Sequence, residues 1–97
     1  MNIQFTGRHK KITDNMKDFF ADEIEKLEKY ADDIKNVHII VDEEHNENLV
    51  EVVISLNQHE VAGKSMDANF GKAADSAIEK VESQIKKIAD KRKERKL

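Results

Sequence analysis

Apolar residues recur along this chain with two alternating periods. Ile3 and Phe5 alternate with Gln4 and Thr6, so Asn2–Thr6 reads as a half-buried strand that Gly7 ends. From Thr13 or Asp14, either of which can cap orphan amides, the spacing lengthens to three and four: Met16, Phe19, Phe20, Ile24, Leu27, Tyr30 or Ala31, and Ile34. A helix to about Ala31 follows from it. Val37–Val41 is a β-branched run, and Asn46-Glu47-Asn48 supplies turn chemistry. Leu49–Leu56 then alternates, with Val50, Val52, Ile54 and Leu56 on one face and Glu51, Val53 and Ser55 on the other, as in a sheet covered on one side. Asn57-Gln58 predicts a tight turn and His59–Met66 a fourth strand. The last element is a helix from about Asn69 to at least Lys91, capped by Asn69 or Asp67, with a stripe of Phe70, Ala74, Ile78, Val81, Ile85 and Ile88. The order β-α-β-β-β-α predicts an α+β fold, a four-stranded sheet with both helices on one face.

Composition narrows the class. Ninety-seven residues close one modest core, so a single domain over residues 1–97 is expected, with a basic tail from about 92 to 97 that frays. Hydrophobic and charged residues each make up 38%, a folded but heavily solvated balance. The absence of cysteine excludes disulfides and thiolate metal sites. No apolar run reaches the roughly 18 residues a membrane span needs, and the N-terminus lacks a signal-peptide pattern. Cytosol is the expected compartment.

Net charge is −3, which alone argues against a polyanionic partner. The charge is unevenly spread, however. Lys86–Leu97 carries seven positive and two negative residues, whereas Asp42, Glu43, Glu44, Glu47 and Glu51 are all acidic. At about 100° per residue, Lys72, Lys80, Lys87 and Lys91 gather on the solvent side of the last helix, a stripe long enough to follow several phosphates. Asp75, Glu79 and Glu82 take another flank. The plainer reading is a solvated helix end whose lysines complement the dipole. Arg8, Lys10 and Lys11 form a second basic patch, while Lys26 and Lys29 lie on an electrostatically mixed helix.

Catalytic chemistry finds little support. His9, His38, His45 and His59 lack the helical i, i+4 spacing of zinc-binding histidines, so no metal site is expected. Glu43, Glu44, His45 and Glu47 lack the spacing and central glycine of an EF-hand. Ser55, Ser65, Ser76 and Ser83 have no nucleophile elbow, and Gly7, Gly63 and Gly71 are too scattered for a phosphate loop. Phe5, Phe19, Phe20, Tyr30 and Phe70 read as core, so an RNA-binding role would run through phosphates and shape. No enzyme activity and no cofactor are expected.

Several segments together carry a resemblance. Thr6-Gly7, Ile12-Thr13, Lys26-Leu27-Glu28-Lys29-Tyr30 and Val37-His38-Ile39-Ile40-Val41, followed by Asn69–Asp75 and Glu79–Lys87, are similar in order and register to the ribosome hibernation-promoting factor family. The resemblance covers nearly the whole chain. It implies a fold like the double-stranded-RNA-binding domain, and a seat on the small ribosomal subunit in the channel used by messenger and transfer RNA. There, basic side chains of both helices contact ribosomal RNA and translation is silenced. Carried over by position, Lys26, Lys29, Lys80, Lys86, Lys87, Lys91 and Arg92 match family cations; Lys72, Arg8, Lys10 and Lys11 are further candidates. A ribosome modulation factor is the implied partner in ribosome dimers, and the chain reads as a short form without the second, dimerising domain. Gly71 replaces a usual tyrosine, Ser83 a common arginine, and Glu23 stands where a basic residue is frequent. Two rival readings remain open: a protein-interaction module using the acidic 42–51 region, and a generic double-stranded-RNA binder.

Overall fold

The computed structural model describes residues 2–94; of the fraying tail expected at about 92–97, residues 92–94 instead continue the last helix, and 95–97 lie outside the described residues. Six elements follow in the predicted order: β1 (Asn2–Arg8), α1 (Asp14–Leu27), β2 (Asn36–Glu44), β3 (Glu47–Leu56), β4 (His59–Asp67) and α2 (Phe70–Glu94). The sheet order is β1-β2-β3-β4. β1 and β2 are parallel, a pairing that requires a crossover, and α1 supplies it. The β2–β3 and β3–β4 pairs are antiparallel hairpins.

Alternation sorts the side chains as the pattern required. Val37, Ile39, Val41, Val50, Val52, Ile54, Leu56 and Val61 point to the helices and are buried. Phe20, Ile24 and Leu27 of α1, and Ala73, Ala74, Ala77, Ile78, Val81 and Ile85 of α2, close the core over them. Each large side chain so buried contributes about 1.5–3 kcal/mol of transfer free energy. Phe20 is the hinge of the packing, meeting Phe19 and Phe70 edge-on at 5.2 and 6.3 Å. Both helices run in the same direction, because Phe70 and Gly71 at the start of α2 lie beside Asn15 and Met16 at the start of α1, while Arg92 reaches Asp33 beyond the end of α1.

The three buried alanines of α2 leave room for backbone to approach backbone, and Gly63 of β4 completes that room. A Cβ at Gly63 would run into the Ala77 carbonyl oxygen and crowd Lys80 Cβ at 2.9 Å. So close an approach lets α2 side chains reach the outer side of β4. Gln84 Oε1 accepts from the Ala62 amide at 3.3 Å, and Gln84 Nε2 donates to the Ala62 carbonyl at 2.6 Å. Lys80 Nζ donates to the Lys64 carbonyl at 2.6 Å.

Caps behave as expected. Thr13 Oγ1 accepts from the Met16 amide, and Asn69 Oδ1 from the Lys72 amide. Boundaries differ in three places. β1 runs past Gly7 to Arg8, because parallel pairing with β2 continues to Asp42. α1 stops at Leu27, where Glu28 and Tyr30 switch to amide bonds three residues back. Ala31 and Ile34 are still buried, so a turn-rich connection maintains the apolar spacing that reads as helix. The β2–β3 turn is His45-Asn46, both with positive φ (50° and 62°), so Glu47 and Asn48 are strand. Two left-handed residues match the strand twist in a two-residue hairpin, and this moves the turn towards the N-terminus.

Candidate nucleic-acid interface

The outward side of α2 presents Lys72, Lys80, Lys87 and Lys91, all exposed as the helical spacing predicts. Lys72, Lys87 and Lys91 have no ion-pair partner among the described residues, and Lys93 extends the row. Towards the C-terminal end the row curves around the β3–β4 turn. Gln58, His59, Lys87, Ile88, Lys91 and Arg92 line a concavity of about 360 Å³ there. Gln58 turns the chain with φ 64°, which brings His59 beneath the lysines. Sequence reasoning left His59 out, since its neighbours lie 28 to 33 positions away.

The other candidate cations are partly spent within the fold. Lys10 donates to Glu43 Oε1 at 2.9 Å and lies 5.6 Å from the Phe70 ring; its side chain is only 20% exposed. Arg8 pairs in register with Asp42, and His9 Nδ1 sits 3.0 Å from Asp42 Oδ1. The basic patch at 8–11 therefore folds against Asp42 and Glu43, at the start of the acidic 42–51 segment, and Lys10 and Glu43 neutralise each other. The hydrogen bond from His9 holds the Asp42 carboxyl below its ordinary pKa, with the Glu43 amide adding to it against the effect of burial.

Arg92 serves as a strut. Its guanidinium donates two hydrogen bonds to Asp33, 2.9 and 2.8 Å long, in the fork geometry that carboxylates favour. Asp33 Oδ2 also accepts from the Asn57 amide at 3.0 Å. The α1–β2 connection, the β3–β4 turn and the end of α2 are thus tied at one carboxylate. Arg92 lowers the Asp33 pKa, and Asp33 raises that of Arg92 in return.

Lys29 lies in the turn beyond α1 and not on the helix as expected; with Lys86 of α2 it flanks Tyr30, at 5.2 and 5.0 Å from the ring, so cation–π attraction ties α2 to the α1–β2 connection. Lys86 also pairs with Glu82 at 3.7 Å, and Lys26 with Glu23 at 3.6 Å. Glu23 and Glu82 thus draw charge from the candidate surface. The strongest uncommitted positive field belongs to the outward face of α2.

Comparisons with known proteins bear on the family and the fold. Residues 3–93 match the family profile described as Sigma 54 modulation protein / S30EA ribosomal protein. The ribosome hibernation promoting factor of Klebsiella oxytoca is 29% identical over 94 residues, covering 97% of this chain and 99% of that protein. Its Escherichia coli K12 counterpart is 27% identical over the same shares. Among solved structures, the N-terminal domain of Thermus thermophilus Protein Y superposes with a TM-score of 0.83 at 26% identity, covering 91% of this chain and 99% of that one. A ribosomal subunit interface protein from Coxiella burnetii shares the fold, with a TM-score of 0.84 at 23% identity over 91% and 97% of the two chains. With its profile matched over nearly its whole length, the chain belongs to the Sigma 54 modulation protein / S30EA ribosomal protein family.

Proposed function

We propose that this protein is a ribosome-binding translation inhibitor that occupies the messenger and transfer RNA channel of the small subunit and holds idle ribosomes in hibernation. The observation that carries the reading is the exposed row of Lys72, Lys80, Lys87 and Lys91 on a rigid helix, continued into the His59 concavity. Lysines spaced along one helix face meet successive phosphates and release their counterions without reading bases. The partly buried aromatics, packed on the core, leave stacking a minor role. Curated relatives named ribosome hibernation promoting factor support the assignment. The protein acts by occupancy, in the cytoplasm where ribosomes work, and a ribosome modulation factor is its proposed companion in ribosome dimers.

Lys72, Lys80, Lys87 and Lys91 are the principal contacts in this proposal. Arg8, Lys26 and Lys29 contribute at the margin, and Lys10, Lys86 and Arg92 act mainly by shaping the surface. The rival protein-docking use of residues 42–51 is weakened because His9 and Lys10 cover Asp42 and Glu43. Co-sedimentation with vacant small subunits tests the proposal. Binding should fall steeply with salt, and K80E/K87E/K91E should abolish it while leaving the fold intact. Folded protein that fails to sediment with subunits at low salt would refute it. Equal affinity for arbitrary RNA duplexes would instead mark a generic double-stranded-RNA binder.

A further inference from the structure

His9 has a second relationship that its pairing with Asp42 only begins to describe. Alternation along β2 places Asp42 and Glu44 on the same side of the strand, on the sheet face turned away from the helices. The loop after β1 folds back over that end and lowers His9 onto them. One donor atom from each of His9, Asp42 and Glu44 lies within 4.8 Å of the other two. We propose that these three side chains bind a divalent transition-metal ion of the Zn²⁺ class.

Four observations bear on the site. Its donors are mixed, one imidazole nitrogen and two carboxylate oxygens, which suits borderline ions better than Mg²⁺ or Ca²⁺. The donors come from segments 33 to 35 positions apart, and the fold has already brought them together. Asp42 is only 7% exposed, yet hydrogen bonds reach only its Oδ1; Oδ2 has no hydrogen-bond partner among the described residues. That oxygen keeps contact with solvent and is open to an incoming cation. The loop is also fixed next to His9, because Lys10 is tied to Glu43 and Gly7 lets the Lys10 carbonyl pack where a Cβ would otherwise stand.

Ligands about 2.1 Å from a tetrahedral ion stand about 3.4 Å apart, so donors lying within 4.8 Å of one another need only small adjustments. His9 (73% exposed) and the exposed Glu44 have that freedom. On binding, the ring nitrogen exchanges its proton for the metal and the proton passes to solvent. Water completes the coordination, as expected for three protein ligands on an open surface. The bound ion would pin the β1–α1 loop to the hairpin.

The test is isothermal titration of the full chain with ZnCl₂, in parallel with Co²⁺ absorption as a report of coordination geometry. One equivalent per chain is expected. H9A and E44Q should each weaken binding by more than about tenfold, the loss that even outer ligand-supporting residues produce. H45A and H59A should leave it unchanged. Both ligand variants alter exposed side chains, and metal-free melting checks their folding; Asp42 is left intact because it is buried. Wild-type protein that takes up no Zn²⁺ at millimolar concentration overturns the proposal. So does binding unaffected by H9A and E44Q, and so does equal uptake of Mg²⁺, the mark of a diffuse acidic surface.

Discussion

Replacing Gly63 with alanine separates two opposing effects and predicts which one dominates. Gly63 has no positive φ, so alanine fits its backbone without strain. With nothing overhead, the substitution would stabilise the protein by about 0.4–1 kcal/mol, by reducing the freedom of the unfolded chain. The new methyl instead meets the Ala77 carbonyl oxygen of α2, with Lys80 Cβ at 2.9 Å and Val81 Cγ1 at 3.2 Å. Helix backbone cannot rotate aside as a side chain can, so the cost belongs at the upper part of the roughly 1–3 kcal/mol seen for overpacking. The net expectation is a loss of about 1–2.5 kcal/mol, or ~5–15 °C in melting temperature for a domain of this size. Urea and thermal melts followed by circular dichroism measure it. Unchanged or increased stability would show that α2 does not press on β4 as described. Small-subunit binding should weaken as well, since lifting α2 displaces Lys80 from the strand edge.

Three other changes probe separate parts of the fold. D33N should destabilise by about 1–2 kcal/mol, because a charge-assisted fork is lost while partial exposure of Arg92 moderates the effect. The Asp33 pKa is depressed in the folded state, so its contribution is present above the ordinary carboxylate value of about 3.9 and disappears as pH falls through the folded pKa. The stability gap between wild type and D33N should therefore shrink between pH 7 and pH 3 in urea melts, and a constant gap would refute the assignment. T13A removes the α1 cap and should cost about 1 kcal/mol by the same melts. F20A empties a fully buried aromatic site and should cost about 3–5 kcal/mol, with near-ultraviolet dichroism reporting the lost packing.

The legibility of this fold tracks the range of the forces involved. Element order and burial faces could be read directly, because alternation at Val50–Leu56 and three-four spacing at Phe20–Leu27 are local consequences of what must be buried. Boundaries were less legible. The hairpin turn depends on His45 and Asn46 both accepting left-handed angles, and His is no strong signal for that. The end of α1 is hidden because Ala31 and Ile34 keep the helical spacing inside a turn. The candidate interface was half legible: helical geometry placed Lys72, Lys80, Lys87 and Lys91 correctly on an exposed face. It could not show that Lys10 is bound to Glu43 across 33 positions, or Arg92 to Asp33 across 59. Nor could it bring His59 beneath Lys87. Those pairings form only when the chain closes on itself.

The amide of Gln84 has a consequence for how copies of this protein can meet. A strand at the margin of a sheet normally offers its free amides and carbonyls to any extended chain that passes, and sheets polymerise by that route. Along β4, Gln84 answers both backbone groups of Ala62, and Lys80 answers the carbonyl of Lys64. The helix thus covers the middle of that margin, from Ala62 to Lys64. Among the described residues β1 pairs only with β2 and no helix side chain bonds its outer backbone, so that side is the more open to an added strand. A sheet hindered at one margin favours a closed pair of copies over growth into a ribbon. The helix that bears the cationic row therefore also guards the protein against open-ended β-aggregation.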